Sequence, residues 1–545
     1  MQNPFLSTRN TTYAKNGMVA TSQPLAAQAG LDILKKGGNA IDAAIATAAC
    51  LTVVEPTSNG IGGDAFALVW TGGKLHGLNS SGPSPASISI DAVKAQGHTQ
   101  MPKLGWIPVT VPGAPAAWAE LNSRFGKLSL AQCLEPAIKY AQEGYPISPT
   151  LGRGWGGAAK FYASQAGAEF AHWGETFAPK GRAPKIGEMW SSKGHAATLA
   201  EIAETRAESF YRGALAEKII AFAKKTGGFL GESDLGDYRP MWVDPISVNY
   251  HGHDIWEIPP NGQGLVALIA LNILKGYSLS ESTLTSHPAE SARLYARDAI
   301  GTYHKQFEAI KLAFACGKNV ITDPEHMQIP LKELLSDDFA AYLRTKISDE
   351  AAEPEAFLPP TGGTVYLATA DGDGNMVSFI QSNYMGFGSG IVVPGTGIAL
   401  QNRGADFSLD PTHANALEGG KRTYHTIIPG FITKGDTPVG PFGVMGGYMQ
   451  PQGHVQVVMN MLDFGLDPQA ALDAPRWQWL TGRQFEVEHH FPTHAAKSLG
   501  ALGHRITVQL EAGSFGRGQI ILRDPASGVL AGGTETRTEG AVAAW

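Results

Sequence analysis

Cysteine is scarce in this chain. Only three occur among 545 residues, Cys50, Cys133 and Cys316, odd in number and far apart, which excludes a disulfide framework and any CxxC-type metal site. Cys50 and Cys316 lie in Ala-rich helical runs and read as core thiols. Long apolar runs are lacking too: 43% of the residues are hydrophobic, yet they never concentrate into a membrane-spanning segment. The stretch that opens Met1-Gln2-Asn3-Pro4 lacks the basic region and apolar run of a signal peptide, so a cytoplasmic location is expected. No Lys/Arg-dense tract occurs either, and 42 basic against 49 acidic residues leave a net charge of −7, which argues against nucleic-acid and anionic-membrane partners.

Glycine and proline, by contrast, are plentiful, at 66 and 34, and spread along the chain as turn chemistry rather than as disorder. The first two thirds are helix-rich. Residues 23–36 and 40–54 predict a buried helical pair with Gly37-Gly38 as the stop between them and Asn39 as the cap of the second. From Glu290 to Phe314, the positions Ala296, Ile300, Tyr303, Phe307, Ile310 and Phe314 mark one face of a long amphipathic helix. Short strands are expected at 65–70, 246–250 and 254–258.

The last third reads as strand-dominated, with candidates at 365–370, 376–381, 391–393, 431–433, 454–459, 485–488, 505–510 and 519–522. Helices followed by strands predict an α+β layered architecture. Residues 348–363, acidic and carrying Pro354, Pro359 and Pro360, separate the two parts as an exposed segment. Composition alone suits an interdomain linker as well as a processing loop.

The first strand after that segment opens at Thr364 and is joined to the next by Asp371-Gly372-Asp373-Gly374-Asn375, a hairpin loop. A turn centred on Asp373 makes partner numbers sum to 746, which sets Thr364 opposite Ser382. Directly opposed residues have Cβ atoms roughly 4.5–5.5 Å apart, so the serine hydroxyl can hold the threonine's. Ser and Thr are commonplace at strand ends, and this pairing fits that plain role too. The chemical role is distinct: a threonine hydroxyl needs a base, and an N-terminal threonine carries one in its own α-amine. That requires prior cleavage of the Gly363–Thr364 bond, by attack of the Thr364 hydroxyl on the Gly363 carbonyl and hydrolysis of the ester.

Ordered blocks carry a resemblance over nearly the whole chain: Gly37 to Ala44, Glu55-Pro56, Gly60 to Asp64, Val111 to Ala114, Pro259 to Gly264, Phe387 to Gly390, Asn402 to Phe407, Gly446-Gly447 and Asp473 to Arg476. With Thr364 among them, the sequence resembles the γ-glutamyltransferase family of N-terminal-nucleophile hydrolases. The resemblance implies a four-layer αββα sandwich. It also implies self-cleavage into a helix-rich large fragment, 1–363, ending in a processing loop at about 348–363, and a small fragment, 364–545, the two remaining intertwined. A dimer of such two-fragment units is compatible with it.

By position, the resemblance makes Thr364 the nucleophile, Ser382 its assisting hydroxyl, and Gly446 and Gly447 an oxyanion-hole pair; a tight turn is the plain reading of the two glycines. The pocket departs from the family pattern. The usual early arginine for the substrate's α-carboxylate is absent, Ser81 standing in its place; an asparagine has become Tyr384; a serine pair has become His425-Thr426; and a glutamine has become Arg403. Arginine is the natural bidentate partner of a carboxylate. Asp406 matches the family's amino-group ligand, and an Arg403–Asp406 ion pair is the competing reading.

These replacements resemble the branch of the family that includes oxamate amidohydrolase, which implies hydrolysis of a small carboxylate-bearing amide to the acid and ammonia. Glutathione or another γ-glutamyl compound, with Arg403 replacing the missing arginine, is the rival, and a cephalosporin-type acylase is a third reading. An uncleaved binding homologue without activity is the reading from another class. No cofactor is implied and no metal site is expected: His489-His490 falls in a strand-like run whose neighbours diverge, and His251 and His253 lack a third ligand.

Overall fold

The helical pair expected near the start forms in the computed structural model of the chain, which describes residues 9–279, 289–354 and 363–545. Its first helix is Pro24–Lys35, capped by Gln23. The second, α1, is Ala40–Val54, buried on every side, and Asn39 closes a capping box with Asp42. Gly37, at φ +94°, supplies the left-handed turn between them.

Two seven-stranded antiparallel sheets form the centre. In spatial order the first runs Ala541–Ala544, Gly17–Thr21, Gly363–Asp371, Met376–Tyr384, Asp64–Thr71, Lys74–Ser80 and Met241–Val243. The second runs Thr12–Ala14, Leu530–Thr534, Arg517–Arg523, Thr437–Met445, Gly430–Lys434, His253–Glu257 and Ile246–Tyr250. Four of these strands shape the site: β1, Asp64–Thr71; β2, Gly363–Asp371; β3, Met376–Tyr384; and β4, Thr437–Met445.

Side-chain alternation divides the core into three layers. Val365, Leu367, Val377 and Phe379 pack outward against α1 and its neighbours. Tyr366, Ile380 and Phe66 point inward against Phe431, Met445 and Ile521 of the second sheet, and Trp70 stacks on Phe431 across the gap with ring centroids 6.2 Å apart. The outer face of the second sheet, through Phe442 and Val444, packs against Gly264–Leu274 and the helices α2, Ile300–Val320, and α3, Met449–Leu462. Helix, sheet, sheet and helix make the αββα sandwich. Among the described residues no helix is long and apolar enough to cross a membrane.

Four expectations need correction. The helix expected to start near Glu290 is two, Ala289–Arg297 and α2, broken where Ala299 takes an extended backbone and caps the second. Residues 454–459 are not a strand but the middle of α3, which is buried on all sides, so its β-branched run carries no one-face periodicity. Residues 391–393 contribute one isolated bridge, Val392 to Ala399. His489 and His490 lie in the turn after the strand Gln484–Glu488, not in the strand. Of the expected exposed segment, 355–362 fall outside the described residues, while its start is pinned: His304 Nε2 meets the Ser348 carbonyl at 2.8 Å and Lys311 Nζ donates to the Ala352 carbonyl at 2.6 Å.

A buried ion network fastens the C-terminal quarter. Arg537 bridges Glu488 at 2.5 Å and Glu535 at 2.7 Å, and Arg476 holds Glu535 at 2.8 Å. Burial alone would raise both glutamates, but the two arginines more than offset it and hold both below the ordinary 4.5. Their stabilisation is therefore present above the ordinary glutamate range and lost as pH falls through the depressed values. Arg537→Met, leaving two buried carboxylates to one arginine, is expected to cost about 3–5 kcal/mol. Thermal unfolding should show a lower midpoint at neutral pH and a gap to the wild type that narrows in acid; equal midpoints at neutral pH would refute the assignment.

Candidate functional site

β2 and β3 pair in the expected register, Val365 with Gln381 through Ala370 with Met376, each pair summing to 746. A shift then intervenes, because Gly363 pairs with Tyr384. Thr364 sits inside this bulge with its Oγ1 2.9 Å from Ser382 Oγ. β3 in turn pairs with β1, setting Ser382 opposite Asp64. Thr364, Ser382 and Asp64 therefore form a row across three adjacent strands on the face that meets the second sheet, in phase with Tyr366, Ile380 and Phe66. All three are fully buried.

The unbroken Gly363–Thr364 peptide lies within this row. Thr364 Oγ1 is 2.8 Å and Ser382 Oγ 2.7 Å from the Gly363 carbonyl oxygen. Ser382 Oγ also accepts the Tyr384 N–H at 2.7 Å. With one proton to give and an amide already donating to it, the serine hydroxyl can polarise the Gly363 carbonyl while its remaining lone pair faces Thr364. Gly363 is crowded: a Cβ there would come within 3.0 Å of Gly386 N and 3.1 Å of Ser58 Cα. Tyr384 holds φ at +73°, an unfavourable region for a bulky residue, and that conformation aims its N–H at Ser382.

Past Tyr384 lies a pocket of charges. Arg403 is fully buried, its guanidinium 4.0 Å from the centre of the Tyr384 ring. Its Nη1 donates to Thr426 Oγ1 at 2.7 Å and is 3.6 Å from Asp406 Oδ2. Nε and Nη2 of Arg403, and Asp406 Oδ2, have no hydrogen-bond partner. Asp406 Oδ1 accepts the hydroxyls of Tyr384 at 2.7 Å and Tyr448 at 2.8 Å. One of its two oxygens is thus committed to this chain's own hydroxyls, and the other faces Arg403.

His425 sits behind that pocket, with Nε2 2.9 Å from Asp64 Oδ2. Its Nδ1 accepts the Ile427 N–H at 3.3 Å, so the neutral ring carries its proton on Nε2 and donates to the carboxylate. Burial pushes the Asp64 carboxyl up to about 7 against the pull of Arg403 and Gln401, while burial and then Arg403 hold His425 well below its ordinary value. A neutral histidine beside a carboxyl that titrates near neutrality is the result.

Gly446, at φ +137°, and Gly447, at φ +59°, form the turn from β4 into α3. Gln263 ties this turn to the pocket, donating to Thr426 O at 2.6 Å and Gly447 O at 2.8 Å. Both glycines demand the left-handed region, so their backbone N–H groups are aimed by a conformation other residues resist.

A cavity of about 1530 Å³ adjoins the Gly363 side of the scissile bond, and Ser58, Gly386, Tyr384 and Asp406 line it. Trp106, Phe161, Tyr162 and Phe170 give it an aromatic wall, and Glu55 with Arg517, 3.6 Å apart, a charged one.

The structure gathers Thr364, Ser382, Tyr384, Arg403, Asp406, His425 and Thr426 into one network, as their sequence positions suggested. It does not bring Ser81 to a clamp: its Oγ donates to Asn79 Oδ1 at 2.7 Å. Sequence reasoning missed Asp64 as a partner of His425, and it missed Gln263, Tyr448 and Lys318. Asp64 was visible only as the end of a glycine block; the strand pairing with Ser382 gives it meaning. Also missed was a buried group with metal-compatible atoms, His304, Glu308 and His504. Lys311 Nζ, 2.5 Å from Glu308, already supplies a cation there.

The chain has relatives along nearly its whole length. The family profile described as Gamma-glutamyltranspeptidase matches residues 26–545. The chain is 37% identical over 532 residues to the glutathione hydrolase-like YwrD proenzyme of Bacillus subtilis, covering 96% of this chain and 97% of that one. It is 32% identical over 553 residues to the oxamate amidohydrolase proenzyme of Klebsiella pneumoniae, covering 98% and 100%. Among solved structures, a cephalosporin acylase from Bacillus halodurans superposes with a TM-score of 0.94 at 63% identity, covering 100% of this chain and 98% of that one. The chain belongs to the gamma-glutamyltranspeptidase family of N-terminal-nucleophile amide hydrolases.

Proposed function

We propose that the chain cuts itself at Gly363–Thr364 and then hydrolyses amides whose acyl group bears a carboxylate, through an ester on Thr364. In the first step Thr364 Oγ1 attacks the Gly363 carbonyl, the C–N bond breaks, and the nitrogen leaves as the α-amine of Thr364. Water then hydrolyses the ester, freeing a fragment ending at Gly363 and one beginning at Thr364. The freed amine, with an ordinary pKa of roughly 7.7–8.0, becomes the base that takes the Thr364 hydroxyl proton in each later turnover. Ser382 steadies that hydroxyl, and the N–H groups of Gly446 and Gly447 receive the oxyanion.

The observation that carries the substrate assignment is Arg403. A buried guanidinium with two unpartnered N–H groups beside the nucleophile's strand calls for an anionic guest. Asp406, which in γ-glutamyl enzymes would meet the substrate's amino group, has Oδ1 taken by Tyr384 and Tyr448 and Oδ2 turned toward Arg403. An acyl group with a carboxylate and no α-amine, such as glutaryl, fits better than γ-glutamyl. The cavity on the Gly363 side, which is the acyl side of the bond, far exceeds what an oxalyl group needs and suits a larger acyl group such as glutaryl; one solved relative is named a cephalosporin acylase. Oxamate is the second reading, supported by the enclosure of Arg403 and by the relative named for that reaction.

Denaturing gels test the processing step. Wild type should give two bands, the smaller starting at Thr364, and Thr364→Ala a single band near 57.7 kDa. Ser382→Ala should slow cleavage about 10²–10³-fold, the loss typical of one oxyanion donor. Cleavage at that bond in Thr364→Ala would sink the mechanism.

A panel on processed protein tests the substrate: glutaryl p-nitroanilide, oxamate and glutathione, followed by nitroaniline, ammonia and cysteinylglycine. Glutaryl anilide should lead. Arg403→Met should reduce its kcat/KM by a factor corresponding to about 2–5 kcal/mol. Preference for glutathione, or an unaffected Arg403→Met, would overturn the assignment.

A further inference from the structure

Lys318, on α2, sends its ammonium toward the acyl pocket although it touches neither Thr364 nor Arg403. It donates to the Tyr448 hydroxyl and lies 3.8 Å from the centre of the Tyr448 ring and 4.5 Å from that of Tyr424. With its oxygen taken by the ammonium, Tyr448 turns its own proton to Asp406 Oδ1, at 2.8 Å. Tyr384 donates to the same oxygen, and Arg403 stands over the Tyr384 ring. A continuous path therefore joins Lys318 to Arg403 through Tyr448, Asp406 and Tyr384.

The charge count gives the path a purpose. Arg403 and Asp406 alone, 3.6 Å apart, are a neutral pair, and a substrate carboxylate entering beside them would lose hydration for little electrostatic return. Adding Lys318 leaves two cations against one anion in a pocket walled by three tyrosines. We propose that Lys318 is a positioning residue for the acyl pocket: acting through Tyr448, its ammonium offsets the charge of Asp406 and leaves Arg403 a net cation for the carboxylate of the acyl group. This rests on the assignment of Arg403 as the carboxylate clamp.

The surroundings of Lys318 define when it is charged. Tyr424 and Tyr448 are held protonated, their hydroxyls raised by burial and then by Asp406. His413 is pushed below its ordinary value by burial first and by Lys318 second. Among the described residues Asp406 is the anion acting on Lys318; it opposes burial, which pushes the lysine down to about 8. Lys318 is thus charged below about pH 8 and neutral above.

The experiment compares glutaryl p-nitroanilide with its uncharged glutaramoyl counterpart on processed enzyme, taking the ratio of their kcat/KM values from about pH 6.5 to 9.5. Titration of the Thr364 amine, in the same region, affects both substrates and cancels in the ratio. Asp64, raised by burial to about 7 and within the field of Arg403, contributes a step near 7 that wild type and the Lys318 variants share; above that step the wild-type ratio should fall again past about 8. In Lys318→Met it should be about 5–30-fold lower without the second fall, and in Lys318→Arg high without it, because guanidinium does not titrate there. A Lys318→Met ratio that matches wild type and still falls above pH 8 overturns the inference. Arg403→Met separates the two assignments: if it leaves the ratio intact, the clamp itself is wrong, whereas if it collapses the ratio and Lys318→Met does not, only the role of Lys318 fails. No turnover of either anilide overturns both.

Discussion

The hydrogen-bonded cluster of Thr364, Ser382 and the Gly363 carbonyl depends on one bulge between two central strands, and most of the molecule serves to hold that bulge in place. β2 and β3 are buried on both faces, one against α1 and its neighbours, the other against the second sheet. Burial on both faces fixes register, since a one-residue slip would exchange every inward and outward side chain. The bulge can therefore only occur where the pairing ends, and it presents a hydroxyl, a second hydroxyl and a carbonyl oxygen to one another within 2.9 Å. Tyr384 accepts a positive φ to complete the arrangement with its N–H, and the rigid sheet around it absorbs the strain.

The same rigidity shapes what the site can select. The groups that surround the acyl side come from far apart in the chain: Lys318 from α2, Arg403 and Asp406 from a short turn, Thr426 from a loop, and Tyr448 from the start of α3. Gln263 couples that loop to the Gly446-Gly447 turn, so the groups proposed to hold the oxyanion and those proposed to hold the acyl carboxylate share one support. In such a linked network Asp406 Oδ1 is held by two tyrosine hydroxyls. Its two tyrosine hydroxyls and its neighbouring arginine tie it into the pocket wall. The Asp64–His425 pair extends the row, His425 Nε2 donating to a buried carboxyl that burial raises above its ordinary value.

Much of this was legible in the chain because it depends on local spacing. The hairpin loop dictated the 746 register, and Asn39 with Gly37 bounded α1 as capping and left-handed turns require. Local pattern failed where burial is complete. Helix α3, buried all round with Val455, Val457 and Val458 in its middle, imitates a strand, and only its packing between the second sheet and Gly264–Leu274 makes it helical. The helix break at Ala299 was equally invisible, since the apolar spacing continues across it.

By itself the sequence determined the family, and it pointed to the proposed nucleophile with its serine partner and to Ser81 where the resemblance expects an arginine, because each is a matter of which residue stands at which position. The tertiary structure alone decided what those residues have become. That Arg403 keeps two N–H groups free, that Asp406 Oδ1 is held by tyrosines, that His425 answers to Asp64 and that Lys318 reaches the pocket all depend on contacts between segments separated by tens to hundreds of residues. Such contacts are set by how two sheets and their flanking helices close on one another, and no local pattern in the chain records that.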